Sequence, residues 1–126
     1  MIVLLVALAG GAGAATRFVL DGLVRARWQH RLPLATIAIN VSGSLLIGLL
    51  TGGLLYQGLH PEVYVVLALG FCGGYTTFST SMVETVRLVQ SGEHAGAVTN
   101  VAVSLLASLA AAAVGVALMR ALAGWS

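Results

Sequence analysis

The stretch Gly70-Phe71-Cys72-Gly73-Gly74-Tyr75-Thr76-Thr77-Phe78-Ser79-Thr80-Ser81 sets two adjacent glycines and six hydroxyl-bearing residues inside an otherwise oily sequence. It falls within an apolar run, residues 63–89, and three further runs occur at 2–24, 34–56 and 97–122. A helix needs about 20 apolar residues to cross a bilayer, and each run is long enough. The chain has 126 residues, 59% of them hydrophobic and 8% charged, with a mean hydropathy of +1.00. So few polar side chains cannot coat a water-facing surface. The fold expected is an all-α membrane protein, a single domain over 1–126 with four transmembrane helices.

The third helix is expected to be broken near Gly73–Thr76. Glycine has the lowest helix propensity after proline and tolerates conformations closed to other residues. A break frees backbone carbonyls and amides, and inside a bilayer these must be satisfied by protein, water or an ion.

Small residues in "AGGAGAA" (residues 9–15) resemble a signal-peptide cleavage region, but no basic segment precedes them and the apolar pattern continues past Arg17 to Val24. The first run is therefore taken as a spanning helix. The lone Cys72 cannot form an internal disulfide and suits a small packing role. All six cationic residues are arginines, which marks membrane topology rather than nucleic acid binding. Arg25, Arg27, Arg31 and Arg87 flank loops one and three, whereas only Arg120 lies on the side of the termini. Basic residues favour the cytoplasmic face, so both termini are expected outside. Gly48 with Gly52 and Gly70 with Gly74 form GxxxG pairs that permit close helix approach. Four short-looped helices enclose little space, so a polar pathway would more naturally form between subunits.

Polar residues at membrane depth are functional candidates by default. Arg17 and Asp21 lie four residues apart on one helical face, either as an ion pair or as a vestibule that attracts anions. Thr36 and Asn40 also share a face, and the Asn40 amide both donates and accepts. Asn100, Ser104 and Ser108 recur every fourth residue, aligning a stripe of donors along helix four. Thr76, Thr77, Ser79 and Thr80 add hydroxyls beyond the break. No catalytic triad, phosphate-binding loop or metal cluster is evident, since His30, His60 and His94 all fall near loops. Neutral donors with an arginine, and few carboxylates at depth, point to passage of a small anion without enzymatic chemistry.

Three blocks, "GGAGAATRF" (10–18), "PLATIAINVSGSLLIG" (33–48) and "GFCGGYTTFST" (70–80), resemble the signatures of the Fluc (CrcB) fluoride channels. The resemblance covers essentially the whole chain. It implies a dimer of subunits inserted antiparallel in the cell membrane, exporting fluoride passively through two interfacial pores and conferring fluoride resistance. It also implies a structural sodium ion on the dimer axis, held by main-chain carbonyls of Gly73 and Thr76. The fluoride pathway would comprise Thr36, Asn40, Phe78, Ser79, Thr80, Ser81, Asn100, Ser104 and Ser108. Phe78 would present an electropositive ring edge to the anion, Arg17 would line a vestibule, and Glu84 falls on a second characteristic charged position.

Two residues depart from the family pattern. Ser81 stands where a second pore phenylalanine is usual, and Asn100 stands where an aromatic can begin the helix-four track. With the arginine bias, these leave open a homodimer or a heterodimer with a second subunit of opposite topology. The chain could also be a structural subunit supporting a conducting partner. A small four-helix drug exporter is the remaining alternative, although it would need a membrane-embedded Glu in helix one, and none is present.

Overall fold

The structure, a computed structural model, describes residues 1–28 and 32–124. His30 and Arg31, counted above in the first loop, lie outside the described residues. Four apolar spans cross the fold: Ile2–Arg27, Leu34–Tyr56, Pro61–Gln90 and His94–Gly124. No strand occurs among the described residues. We label the helices α1 (Ile2–Arg27), α2 (Leu34–Tyr56), α3 (residues 61–75), α4 (Ser79–Gln90) and α5 (His94–Gly124). The 26 residues of α1 and 31 of α5 extend beyond the hydrocarbon at about 1.5 Å per residue.

The turns follow local chemistry. His60 precedes α3, and its Nδ1 accepts the Glu62 amide at 3.2 Å, with Pro61 at the first helical position, where its missing N–H costs nothing. Gly58 and Gly92 adopt positive φ, 71° and 79°, after α2 and α4 respectively. An L side chain would be strained at either.

Two helix crossings build the subunit, and both rest on missing side chains. In the α2–α5 crossing, a Cβ at Gly48 would strike the Ala112 carbonyl. In the α1–α3 crossing, a Cβ at Gly74 would strike the Gly10 carbonyl. Without a dedicated hydrophobic force between helices in lipid, this backbone approach supplies the packing. Both GxxxG pairs therefore serve contacts inside one subunit.

The interruption of the third span sits slightly later than the glycines suggested. Gly73 is helical at φ −61°, ψ −39°, and helix geometry ends at Thr76, which is extended at φ −78°, ψ 157°. Residues Val65–Cys72 run in wide π-helical turns immediately before it. Gly74 is retained for close packing, and its helix propensity does not decide where the helix stops. The stop is made by side chains. Thr76 folds its Oγ1 back to the Cys72 carbonyl at 2.8 Å, while its amide bonds the same carbonyl at 2.9 Å. Thr77 Oγ1 accepts the Thr80 amide at 3.2 Å and so caps the start of α4. One threonine closes a helix and the next opens another.

Candidate functional site

The interruption divides the candidate residues between two concavities. A groove of about 390 Å³ is lined by Asn40, Ser44, Phe78, Ser81, Ser104 and Ser108 together with apolar side chains. A recess of about 330 Å³ contains Arg17, Asp21, Thr36, Thr77 and Thr80. Thr77 lines both.

The groove has no ionisable residue. Its α5 wall carries Ser104 and Ser108 one turn apart, the consequence of their four-residue spacing; the Ser104 hydroxyl is buried there and has no hydrogen-bond partner among the described residues. Phe78 is 77% exposed, which leaves its ring edge available to a neighbour or an ion. Ser81 is buried and reaches the groove from α4. Ser44 was not among the pathway candidates and joins the wall one turn after Asn40; the small residues of "NVSGS" were the available signal. Ser79 is exposed, within 3.5 Å of the Thr77 hydroxyl, and lines neither concavity.

Asn100 is separated from the serine row it was grouped with. It is fully buried between α4 and α5, where its Nδ2 donates to Thr85 Oγ1 at 2.8 Å. Thr85 in turn donates to the Ser81 carbonyl at 2.8 Å. Because the Thr85 hydrogen is used there, Thr85 must accept from Asn100.

In the recess, of the two readings left open for Arg17 and Asp21, the ion pair does not form, and Asp21 pairs elsewhere. Asp21 Oδ1 binds Arg25 Nε at 2.9 Å, also four residues away. Arg25 wins because it reaches Glu84 as well, at 3.5 Å, and two carboxylates outweigh one. Arg17 thus has no acidic partner among the described residues. Thr36 is buried and donates its hydroxyl to Glu84 Oε1 at 2.5 Å. Thr36 and Asn40, one turn apart, consequently serve different sides of the interruption.

Asn40 reaches across to Thr77 with both ends of its amide. Its Oδ1 accepts the Thr77 amide at 2.8 Å, and its Nδ2 donates to the Thr77 carbonyl at 2.8 Å. Ser42 adds a second tie, with its hydroxyl 2.9 Å from that of Tyr75. These hydrogen bonds bear on the carbonyls that the family resemblance associates with sodium. The Gly73 carbonyl loses its helical donor, the Thr77 amide, to Asn40. The Thr76 carbonyl likewise loses the Thr80 amide to Thr77 Oγ1. Two hard, neutral oxygens without their helical partners suit an alkali cation in donor type. No group of three His, Cys, Asp or Glu side chains converges among the described residues.

Comparison with known proteins bears on this arrangement. Residues 4–116 match the model of the family described as CrcB-like protein, Camphor Resistance (CrcB). The chain is 47% identical over 115 residues to the fluoride-specific ion channel FluC 1 of Leifsonia xyli subsp. xyli, covering 91% of this chain and 84% of that one. It is 44% identical to FluC 2 of Cutibacterium acnes, covering 88% and 92% of the two chains. It is 42% identical to FluC 1 of Symbiobacterium thermophilum, covering 96% and 95%. With four helices long and apolar enough to cross a membrane, the chain belongs to the CrcB family, that of the FluC ion channels, and is a multi-pass membrane protein rather than an enzyme.

Proposed function

We propose that this chain is a subunit of a passive fluoride channel of the cell membrane, through which fluoride leaves the cell and the cell withstands it. The observation that carries this reading is the uncharged groove lined by Phe78, Asn40, Ser81, Ser104 and Ser108. Fluoride is small and strongly hydrated, so entry into an apolar-walled path requires closely spaced donors in place of water. Serine hydroxyls and the second Asn40 N–H are such donors, and the positive edge of the Phe78 ring adds to them. Arg17, without an acidic partner among the described residues, lines the recess with Thr36 and Thr80 and raises the anion concentration at one end.

Two subunits inserted antiparallel would close two such grooves. Exposure of Phe78 supports a partner surface there, as does Gly73, where a Cβ would meet nothing within 4 Å. Nothing inside the subunit calls for glycine at that position. In this dimer the carbonyls of Gly73 and Thr76 from each subunit would hold a sodium ion. When bound, that ion supplies fixed positive charge and links the two interruptions.

Ser81 favours a second reading, in which the partner is an unlike subunit of opposite topology. It is only 4% exposed and lines the groove where the family usually has an aromatic, so the partner would supply the missing ring. The excess of arginine at one membrane face agrees with a single orientation.

The test is fluoride efflux from liposomes reconstituted with this chain alone, compared with chloride. Rapid fluoride flux with negligible chloride flux is expected of a homodimer. Flux appearing only after a second family subunit is added would establish the heterodimer, and chloride passing as readily as fluoride would overturn the channel reading.

A further inference from the structure

Something must hold the interruption between α3 and α4 in one geometry, because Thr77 has neither its amide nor its carbonyl in a helical hydrogen bond and would otherwise sample several. We infer that Asn40 is a positioning residue, whose carboxamide stands in for a missing peptide group and thereby fixes Thr77 and the direction of Phe78. Its bonds to the Thr77 amide and carbonyl, both 2.8 Å, run in opposite senses to a single residue. This is the reciprocal exchange made by a hydrogen-bonded residue pair in an antiparallel sheet. It satisfies both polar groups of Thr77 at a depth where water is scarce.

Thr77 is held a third time by its own hydroxyl, which accepts from the Thr80 amide at 3.2 Å and donates to Thr80 Oγ1 at 3.1 Å. Phe78 follows directly and is 77% exposed, so the subunit itself gives its ring little side-chain packing. Its direction is inherited from the Thr77 backbone. A carboxamide carries two N–H donors. One is committed to Thr77, leaving a single N–H for the groove. Asn40 therefore acts mainly through Thr77 and Phe78, and only secondarily as a donor to whatever occupies the groove. The inference rests on the channel reading only where it concerns flux; the tie to Thr77 is independent of it.

Two measurements on the full chain in detergent micelles test the assignment. Amide exchange at Thr77 is read from ¹⁵N-threonine-labelled protein, and the environment of Phe78 from the ¹⁹F resonances of fluorophenylalanine at Phe18, Phe71 and Phe78. Asn40→Ala is expected to speed Thr77 exchange about ten-fold, the scale of one lost hydrogen bond. It should also move or broaden the Phe78 resonance and leave Phe18 unchanged. Asn40→Asp keeps an acceptor for the Thr77 amide but sets a carboxylate oxygen against its carbonyl, so it should show the same changes and carries the test if the alanine variant does not fold. Thr99→Ala removes an exposed α5 hydroxyl that bonds only its own helix, away from the groove and the interruption, and should leave both signals as they were. If the Asn40 variants lose fluoride flux while Thr77 exchange and the Phe78 resonance stay unchanged, Asn40 acts directly on the anion and the inference is wrong. If the wild-type chain conducts no fluoride yet the variants shift both signals, the channel reading fails and the positioning role stands.

Discussion

The groove and the recess lie on either side of Thr77 and differ in one respect above all, which is charge. The recess holds Arg17 and Asp21, with Glu84 bonded to its Thr36, whereas the groove offers only hydroxyls, an amide and a ring edge. Charge acts over distance and is screened by salt; neutral donors act only at contact and are not. In the proposed channel, Arg17 would draw an anion toward the recess from water, and the groove would replace its hydration shell.

Putting charge where there is none is the strongest way to break this contrast. Ser108→Asp places a carboxylate on the groove wall. At about 4 Å and an effective dielectric constant of about 20, like charges repel by roughly 4 kcal/mol, and fluoride efflux from liposomes should fall roughly a thousand-fold. Removing a donor is milder. A hydrogen bond to a charged group contributes about 1.5–3 kcal/mol, so Ser108→Ala should slow efflux by about ten- to hundred-fold. Phe78→Leu keeps bulk and removes the ring quadrupole, worth about 0.5–1.5 kcal/mol in ring contacts; efflux should drop by about ten-fold or less. The losses in Ser108→Ala and Phe78→Leu, which involve neutral groups, should not depend on ionic strength. Arg17→Gln should have the smallest effect, about three-fold at low salt, vanishing near 1 M salt, where the screening length is about 3 Å. An Arg17→Gln defect that persists at high salt would mean that Arg17 contacts the anion directly.

The four spans were legible because hydrocarbon imposes one composition on every crossing segment. The Ser104–Ser108 row was legible because a period of four survives unchanged into a straight helix. The site of the interruption was less so. Gly73 and Gly74 carry the composition of a break, yet Gly74 faces Gly10, and sequence alone does not distinguish a glycine used for close approach from one used for bending. The stop belongs to Thr76 and Thr77, whose hydroxyls act on neighbouring backbone. The adjacent pair of threonines was the visible clue, but its partner Asn40 lies 37 positions away. Asp21 shows the same limit. Two arginines flank it at equal spacing, and the choice between them is made by Glu84, a residue of another helix. Asn100 fits the serine period by count, but its larger side chain is drawn inward to Thr85.

Cys72 is completely buried and is the only cysteine in the chain. A water-soluble thiol reagent applied to intact cells therefore finds no target on the folded native protein. Any cysteine introduced at an exposed position would report without background on which side of the membrane it resides. The chain is already a blank for mapping its own orientation, the property on which the choice between like and unlike partners turns.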